Sequence, residues 1–293
     1  MVDQAEKLRA MFKDHHPQAA LRKRRLSRII VIASGKGGVG KTNLVVNLAI
    51  ALGQLGKKTI ILDTDLGMAN ADILMDLKPS YTLVDVIRGD KQLEDIVLKG
   101  PYNVEVIPGG SGLSDIVSLD SHQREHLISR LSYLEEDGKV ILVDCPAGLS
   151  RDVLSYIAVA DDLLLITTPE PTAITDVYGI IKIVDSYRLH SSVKMVVNMV
   201  RNHKEGENVF QRINYVCQHF LKIDLDFLGD IEFDHKVRKA VLTCSPYILQ
   251  FPRSRAAQDT QHIARRLNQE EKEAEQEEEK GKSFLQRLLH LWT

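Results

Sequence analysis

The sequence predicts an α/β fold, a mostly parallel twisted sheet with helices on both faces. Seven short runs rich in β-branched and aliphatic residues recur along the chain. Each is nearly continuous in apolar character, which marks strands buried on both faces. Stretches with helical patterning separate them, as parallel crossovers require. A glycine-rich loop directly follows the first run, at the strand end where such sheets hold ligands.

In chain order the runs are RIIVIAS (28–34), KTIILD (58–63), NVEVIP (103–108), KVILVD (139–144), DLLLITT (162–168), VKMVVNMV (193–200) and DFLGDI (226–231). The chain has 293 residues, 44% of them hydrophobic, enough for one large core. A net charge of -2 provides no global basic field, so no nucleic acid is expected as a partner. Cys145, Cys217 and Cys244 share no metal-ligand spacing and imply a reducing compartment. The opening MVDQAEKLRAMF lacks the apolar centre of a signal peptide. No apolar run approaches the ~20 residues of a membrane span. The expected location is cytoplasmic, at most peripheral on the inner face of the cell membrane.

GKGGVGKT, Gly35 to Thr42, fits G-x-x-x-x-G-K-[ST], with a strand before it and the helical pattern NLVVNLAIALGQLG after it. Gly35, Gly37, Gly38 and Gly40, with Val39 between, let backbone N–H groups surround phosphate at a helix N-terminus. Lys41 bridges the outer phosphates in such a loop, and Thr42 holds Mg²⁺. A nucleotide and Mg²⁺ are thus the expected cofactors. Lys36 is an additional lysine, after the first glycine, aimed outward from a tight loop.

With Lys36 in G-K-G-G-V-G-K-T, the chain resembles the deviant Walker A ATPases, the family of MinD, ParA and the nitrogenase iron protein. The resemblance spans about residues 28 to 268 and implies a MinD-like P-loop NTPase fold with ATP hydrolysis. It implies that Lys36 reaches across a face-to-face homodimer to the partner's ATP. LDTDLGMANAD matches the switch I pattern D-x-D-x-G, which puts Asp63 near the metal's water shell and makes Asp65 the group that positions the attacking water. VDCPAG matches the Walker B and switch II segment, making Asp144 a more distant Mg²⁺ ligand. A carboxylate ending a buried strand is costly without a cation or hydrogen bonds, which independently favours a role for Asp63 and Asp144. VVNMV places Asn198 where the family reads adenine.

The cysteines do not suit a cluster-holding iron protein, and DTDLGMAN departs from the D-x-D-P-Q-G of ParA-type partition proteins. DQAEKLR resembles the D-Q-A-x-x-L-R motif of FlhG-type ATPases (also called YlxH), and Asn43 in GKTN is similar to theirs. That resemblance implies a regulator of flagellar number and placement, with the FlhF GTPase and flagellar C-ring proteins as partners. A MinD-like division-site ATPase and a ParA-like DNA-partition ATPase remain the alternatives.

Both ends lie apart from the ATPase domain, assigned to 28–268. Residues 1–27 combine a helix and a tether: Asp3 caps, Glu6 completes a capping box, and Ala5, Leu8 and Phe12 share a face. The resemblance implies that this helix docks on FlhF and raises GTP hydrolysis, with Gln4 orienting water and Arg9 holding the docked helix. Packing on the chain's own body is the other option. The tether, broken at Pro17 and basic from Arg22 to Arg28, is read as a solvated arm. Residues 269–293 begin as an acidic spacer and turn apolar in SFLQRLLHLWT. At 100° per residue, Phe284, Leu285, Leu288, Leu289, Leu291 and Trp292 fall within an arc of about 160°. That helix suits the interface of a membrane, and Lys280, Lys282 and Arg287 favour anionic lipid. Docking on the domain is the alternative there too.

Overall fold

The computed structural model describes residues 27–64, 70–109 and 138–274. The expected N-terminal helix with Asp3, Gln4, Ala5, Leu8 and Arg9, the catalytic candidate Asp65, and the segment Phe284–Trp292 lie outside them.

All seven expected strands are present, with ends within two residues of the sequence reading. They are β1 (Arg28–Ala33), β2 (Lys58–Asp63), β4 (Val104–Pro108), β5 (Lys139–Asp144), β6 (Asp162–Thr167), β7 (Ser192–Val200) and β8 (Asp224–Glu232). An eighth, β3 (Leu98–Lys99), is only two residues long, too short to carry a periodic signal. The sheet order is β3-β4-β2-β5-β1-β6-β7-β8. Every pairing is parallel except β3 with β4, which adds one antiparallel strand at the edge.

Strand alternation builds two cores. Ile30 and Ile32 of β1 face α1 (Lys41–Gln54), α2 (Ala71–Leu74), α8 (His235–Leu242), α9 (Tyr247–Gln250) and α10 (Arg255–Ala274). Ile29, Val31 and Ala33 face α3 (Leu83–Arg88), α4 (Leu93–Ile96), α5 (Arg151–Val159), α6 (Pro171–Tyr187) and α7 (His203–Phe220). Helix α1 is buried from Leu44 to Leu52 because α10 covers the side turned away from the sheet, which explains its nearly all-round apolar sequence. Asn47 is the polar exception, and its Oδ1 accepts the Ile248 N–H at 2.9 Å, locking α1 to α9. Among the described residues, no helix is long and apolar enough to cross a membrane.

The topology fixes the location of a site. The connection after β1 crosses to β2 on one side, whereas the connection after the adjacent β5 crosses to β6 on the other. Loops leaving neighbouring strands in opposite directions open a crevice at their carboxyl ends.

Near that edge, three elements meet around His203, the first residue of α7. Its Nδ1 lies 3.0 Å from Asp230 Oδ2, and its Nε2 lies 3.7 Å from Glu232 and 4.0 Å from Asp259. Arg255 pairs with Glu232 at 3.3 Å. The Asp230 hydrogen bond holds the His203 pKa above its ordinary value. Burial, the largest influence on Asp230 and Asp259, raises both carboxyls. For a raised pKa, stability is present below the unfolded value and lost as pH rises through the folded one. The carboxyl contributions are therefore present at low pH and lost as pH rises through the acid range, and His203 governs the range above its usual ~6.5. His203 is 59% exposed, so its contribution is about 0.2–1 kcal/mol. Unfolding stability should fall by that amount as pH rises above about 6.5, and His203→Gln should remove the slope. Denaturant titrations with identical slopes for both proteins contradict this clamp.

Candidate nucleotide site

The loop after β1 is shaped by its surroundings as well as by its glycines. Ser34 Oγ donates to the Lys36 carbonyl at 3.1 Å and closes the first bend. A Cβ on Gly35 would stand 2.5 Å from Asp176 Cβ, so α6 can approach only because that position is glycine. Gly40 has φ +90, within the left-handed region, and is the N-cap of α1. A side chain there would also collide with the Asn198 amide. Asn198 Nδ2 donates to the Val39 carbonyl at 2.8 Å and pins the loop to the end of β7. Its Oδ1 accepts the Met199 N–H at 2.9 Å. One N–H and one lone pair of that amide remain for a ligand edge.

Helix α1 receives no side-chain cap, so its first N–H groups are presented to an anion. Lys41, the first residue of α1, is buried, with its ammonium on Asp144. Asp144 ends β5 and is wholly buried, level with Ile32 of β1 and Asp63 of β2. Thr64 Oγ1 donates to the Asp144 carbonyl at 2.9 Å, tying the ends of β2 and β5 together. Asp63 Oδ2 accepts the N–H groups of Asn70 at 3.1 Å and Ala71 at 3.2 Å, so this carboxylate also anchors the start of α2. Thr42 and Asn43 occupy the first turn of α1, partly exposed, and the Asn43 carbonyl accepts Asn47 Nδ2 at 2.7 Å.

Lys36 lies apart from this buried pair. Its exposed ammonium bonds Glu170 Oε2 at 2.8 Å and Thr172 Oγ1 at 3.2 Å, at the start of α6. Sequence reading found neither partner, since they stand 134 and 136 residues away. The available signal was TTPEPT, where Pro171 opens a helix directly after β6.

Gly35 to Asn43, Asp63, Asp144 and Asn198 thus converge on one crevice, where a bound group can be tested for fit. A Cβ built on Gly37 or Gly38 meets nothing within 4 Å, so the loop leaves open space beside its backbone. That space, an uncapped helix start and a buried ammonium suit a polyphosphate. The Thr42 hydroxyl and the two carboxylates are hard oxygen donors, as Mg²⁺ prefers. Cys145 follows Asp144 but is buried, which pushes its thiol up to about 12 and keeps it protonated. Burial likewise raises Cys217 to about 11. Among the described residues, no group of three or more His, Cys, Asp or Glu side chains is placed to hold a metal ion.

The family profile described as ParA, NUBPL iron-transfer P-loop NTPase, matches residues 25–268. The chain belongs to the ParA/MinD family of P-loop ATPases. The antiactivator FleN of Pseudomonas aeruginosa is 39% identical over 241 residues, covering 82% of this chain and 86% of FleN. The flagellum site-determining protein YlxH of Helicobacter pylori is 30% identical, with 82% of each chain covered. The MinD structure from Pyrococcus horikoshii, complexed with Mg-ADP, aligns with a TM-score of 0.67 at 28% identity, covering 84% of this chain and 97% of that one. These relatives place the chain in the FlhG-type flagellar branch of the family. The cofactors of this P-loop ATPase are ATP and Mg²⁺. Lys41 and the loop N–H groups would hold the phosphates, and Thr42 would hold the metal, with Asp63 and Asp144 behind it. The metal would supply charge neutralisation at the phosphates, while the loop N–H groups and Lys41 would orient them.

Proposed function

We propose that this chain is a switch ATPase that dimerises with ATP and regulates flagellar number and placement. The flagellum site-determining protein YlxH supports the process, and the antiactivator FleN supports a regulatory role. The observation that carries the switch is the position of Lys36. A lysine needed by its own loop would sit inside it, as Lys41 does. Lys36 instead rests on Glu170 and Thr172 at the molecular surface, free to exchange that surface ion pair for a charge pressed against it. A partner's ATP is such a charge. Asp65 then orients the water, so hydrolysis awaits dimerisation and is slow. Asn198 turns its remaining donor and acceptor to adenine.

The appended segments give this switch its outputs. The N-terminal helix, with Asp3, Gln4, Ala5, Leu8 and Arg9, docks on the FlhF GTPase and stimulates it, and C-ring proteins of the flagellar switch are further partners. A peptide of residues 1–20 that leaves FlhF turnover unchanged removes that part of the reading. The C-terminal helix, Phe284 to Trp292, lies on anionic membrane, weakly from one subunit and more firmly from a dimer with two. The protein is cytoplasmic and peripheral on the inner face of the cell membrane in this account.

Light scattering with Mg-ATP tests the switch. Lys36→Gln should stay monomeric while still binding nucleotide through Lys41 and the loop, and Asp65→Ala should remain a trapped dimer. Normal dimerisation of Lys36→Gln contradicts the role across the interface. Trp292 is the single tryptophan, so its fluorescence reports the terminal helix alone. Anionic vesicles should shift its emission to the blue, more with ATP than with ADP, and neutral vesicles should not. Emission that is already blue without lipid and never changes means that the helix packs on the body.

A further inference from the structure

Strand β7 ends irregularly. Its register with β8 shifts between Asn198 and Val200. Met199, the residue between them, has φ +60, a left-handed conformation that side chains other than glycine's adopt at a cost. Hydrogen bonds hold it there from both sides: Asn198 Oδ1 accepts the Met199 N–H at 2.9 Å, and the Val200 carbonyl accepts the Phe233 N–H at 2.8 Å. Bulges of this kind re-aim a side chain next to a site. Here the Met199 side chain leaves the sheet, 40% exposed, and its methyl carbon lies 3.6 Å from where a Cβ on Gly40 would stand. It therefore reaches over the phosphate loop on the side that Asn198 occupies. Phe233, the first residue after β8, exposes 70% of its surface at the same edge. Met199 is thus left in solvent beside the loop and Phe233 in solvent just past β8, neither contributing to the core.

A flexible, polarisable thioether suits contact with the flat face of an aromatic ring. Asn198 has already given one N–H to Val39 and one lone pair to Met199, so only half its amide remains to read a base edge. We propose that Met199 is a specificity-determining residue of this ATPase: the nucleotide base stacks against its side chain, with Phe233 closing the outer side. This inference rests on the assignment of the crevice to ATP. Apolar contact then does more than edge reading to hold the base, and the larger face of a purine is preferred over a pyrimidine.

Diphosphates provide the test, because they keep dimerisation out of the measurement. Calorimetry on the full chain would compare Mg-ADP, Mg-CDP and magnesium pyrophosphate for the wild type, Met199→Gly and Met199→Leu. Glycine relieves the left-handed backbone, so Met199→Gly should melt no lower than the wild type. It should bind ADP about three- to tenfold more weakly, narrow the gap between ADP and CDP, and leave pyrophosphate affinity unchanged. Met199→Leu should retain most of the ADP affinity. Wild-type ADP affinity in Met199→Gly, or an equal loss of ADP and pyrophosphate, overturns the stacking role while leaving the ATP site standing. A wild type that binds neither ADP nor pyrophosphate overturns the ATP site as well.

Discussion

The buried pair of Lys41 and Asp144 is the constraint on which the site depends. A lysine at the start of α1 and an aspartate at the end of β5 are held in the protein interior, 103 positions apart in sequence. Two buried charges are tolerable only when each faces the other, and removing one partner of such a pair typically costs about 3–5 kcal/mol. Helix α1 must therefore begin directly above the carboxyl end of β5. That placement requires the left-handed turn at Gly40 and the crossing of β1 into the neighbouring layer.

The two lysines of the loop differ because of their surroundings. Lys41 is surrounded by sheet and helix, where an ion pair is strong and exchange requires an equally charged ligand. Lys36 lies in solvent against Glu170, where an ion pair is weak and readily replaced. One loop thereby carries one buried lysine and one exposed lysine, the arrangement that the proposed switch uses. Gly35 permits this arrangement by letting α6 close against the loop, which brings Glu170 and Thr172 within reach of Lys36.

Much of this was legible in the sequence because the signals are local. The seven apolar runs, the glycine loop and the aspartates at two strand ends each lie within a few residues, and the structure brings the loop, Asp63, Asp144 and Asn198 close together. What stayed hidden depends on distant partners. Nothing near Asn47 announces that it will hold Ile248, 201 residues away. Asp63 reads as a carboxylate for a metal's water shell, and only the folded chain reveals that it also receives the N–H groups of Asn70 and Ala71. The bulge at Met199 leaves no trace in VVNMV, because an apolar residue in an apolar strand looks like core until its φ is known.

We infer that this crevice binds Mg-ATP through Lys41. Thermal melting of the full chain, with and without Mg-ATP, tests it directly. The wild type should gain stability that grows with the logarithm of nucleotide concentration. Lys41→Met should fold, melt lower than the wild type because Asp144 loses its buried partner, and gain little from Mg-ATP. A wild-type melting temperature that does not respond to Mg-ATP, or an equal response in Lys41→Met, would contradict the assignment.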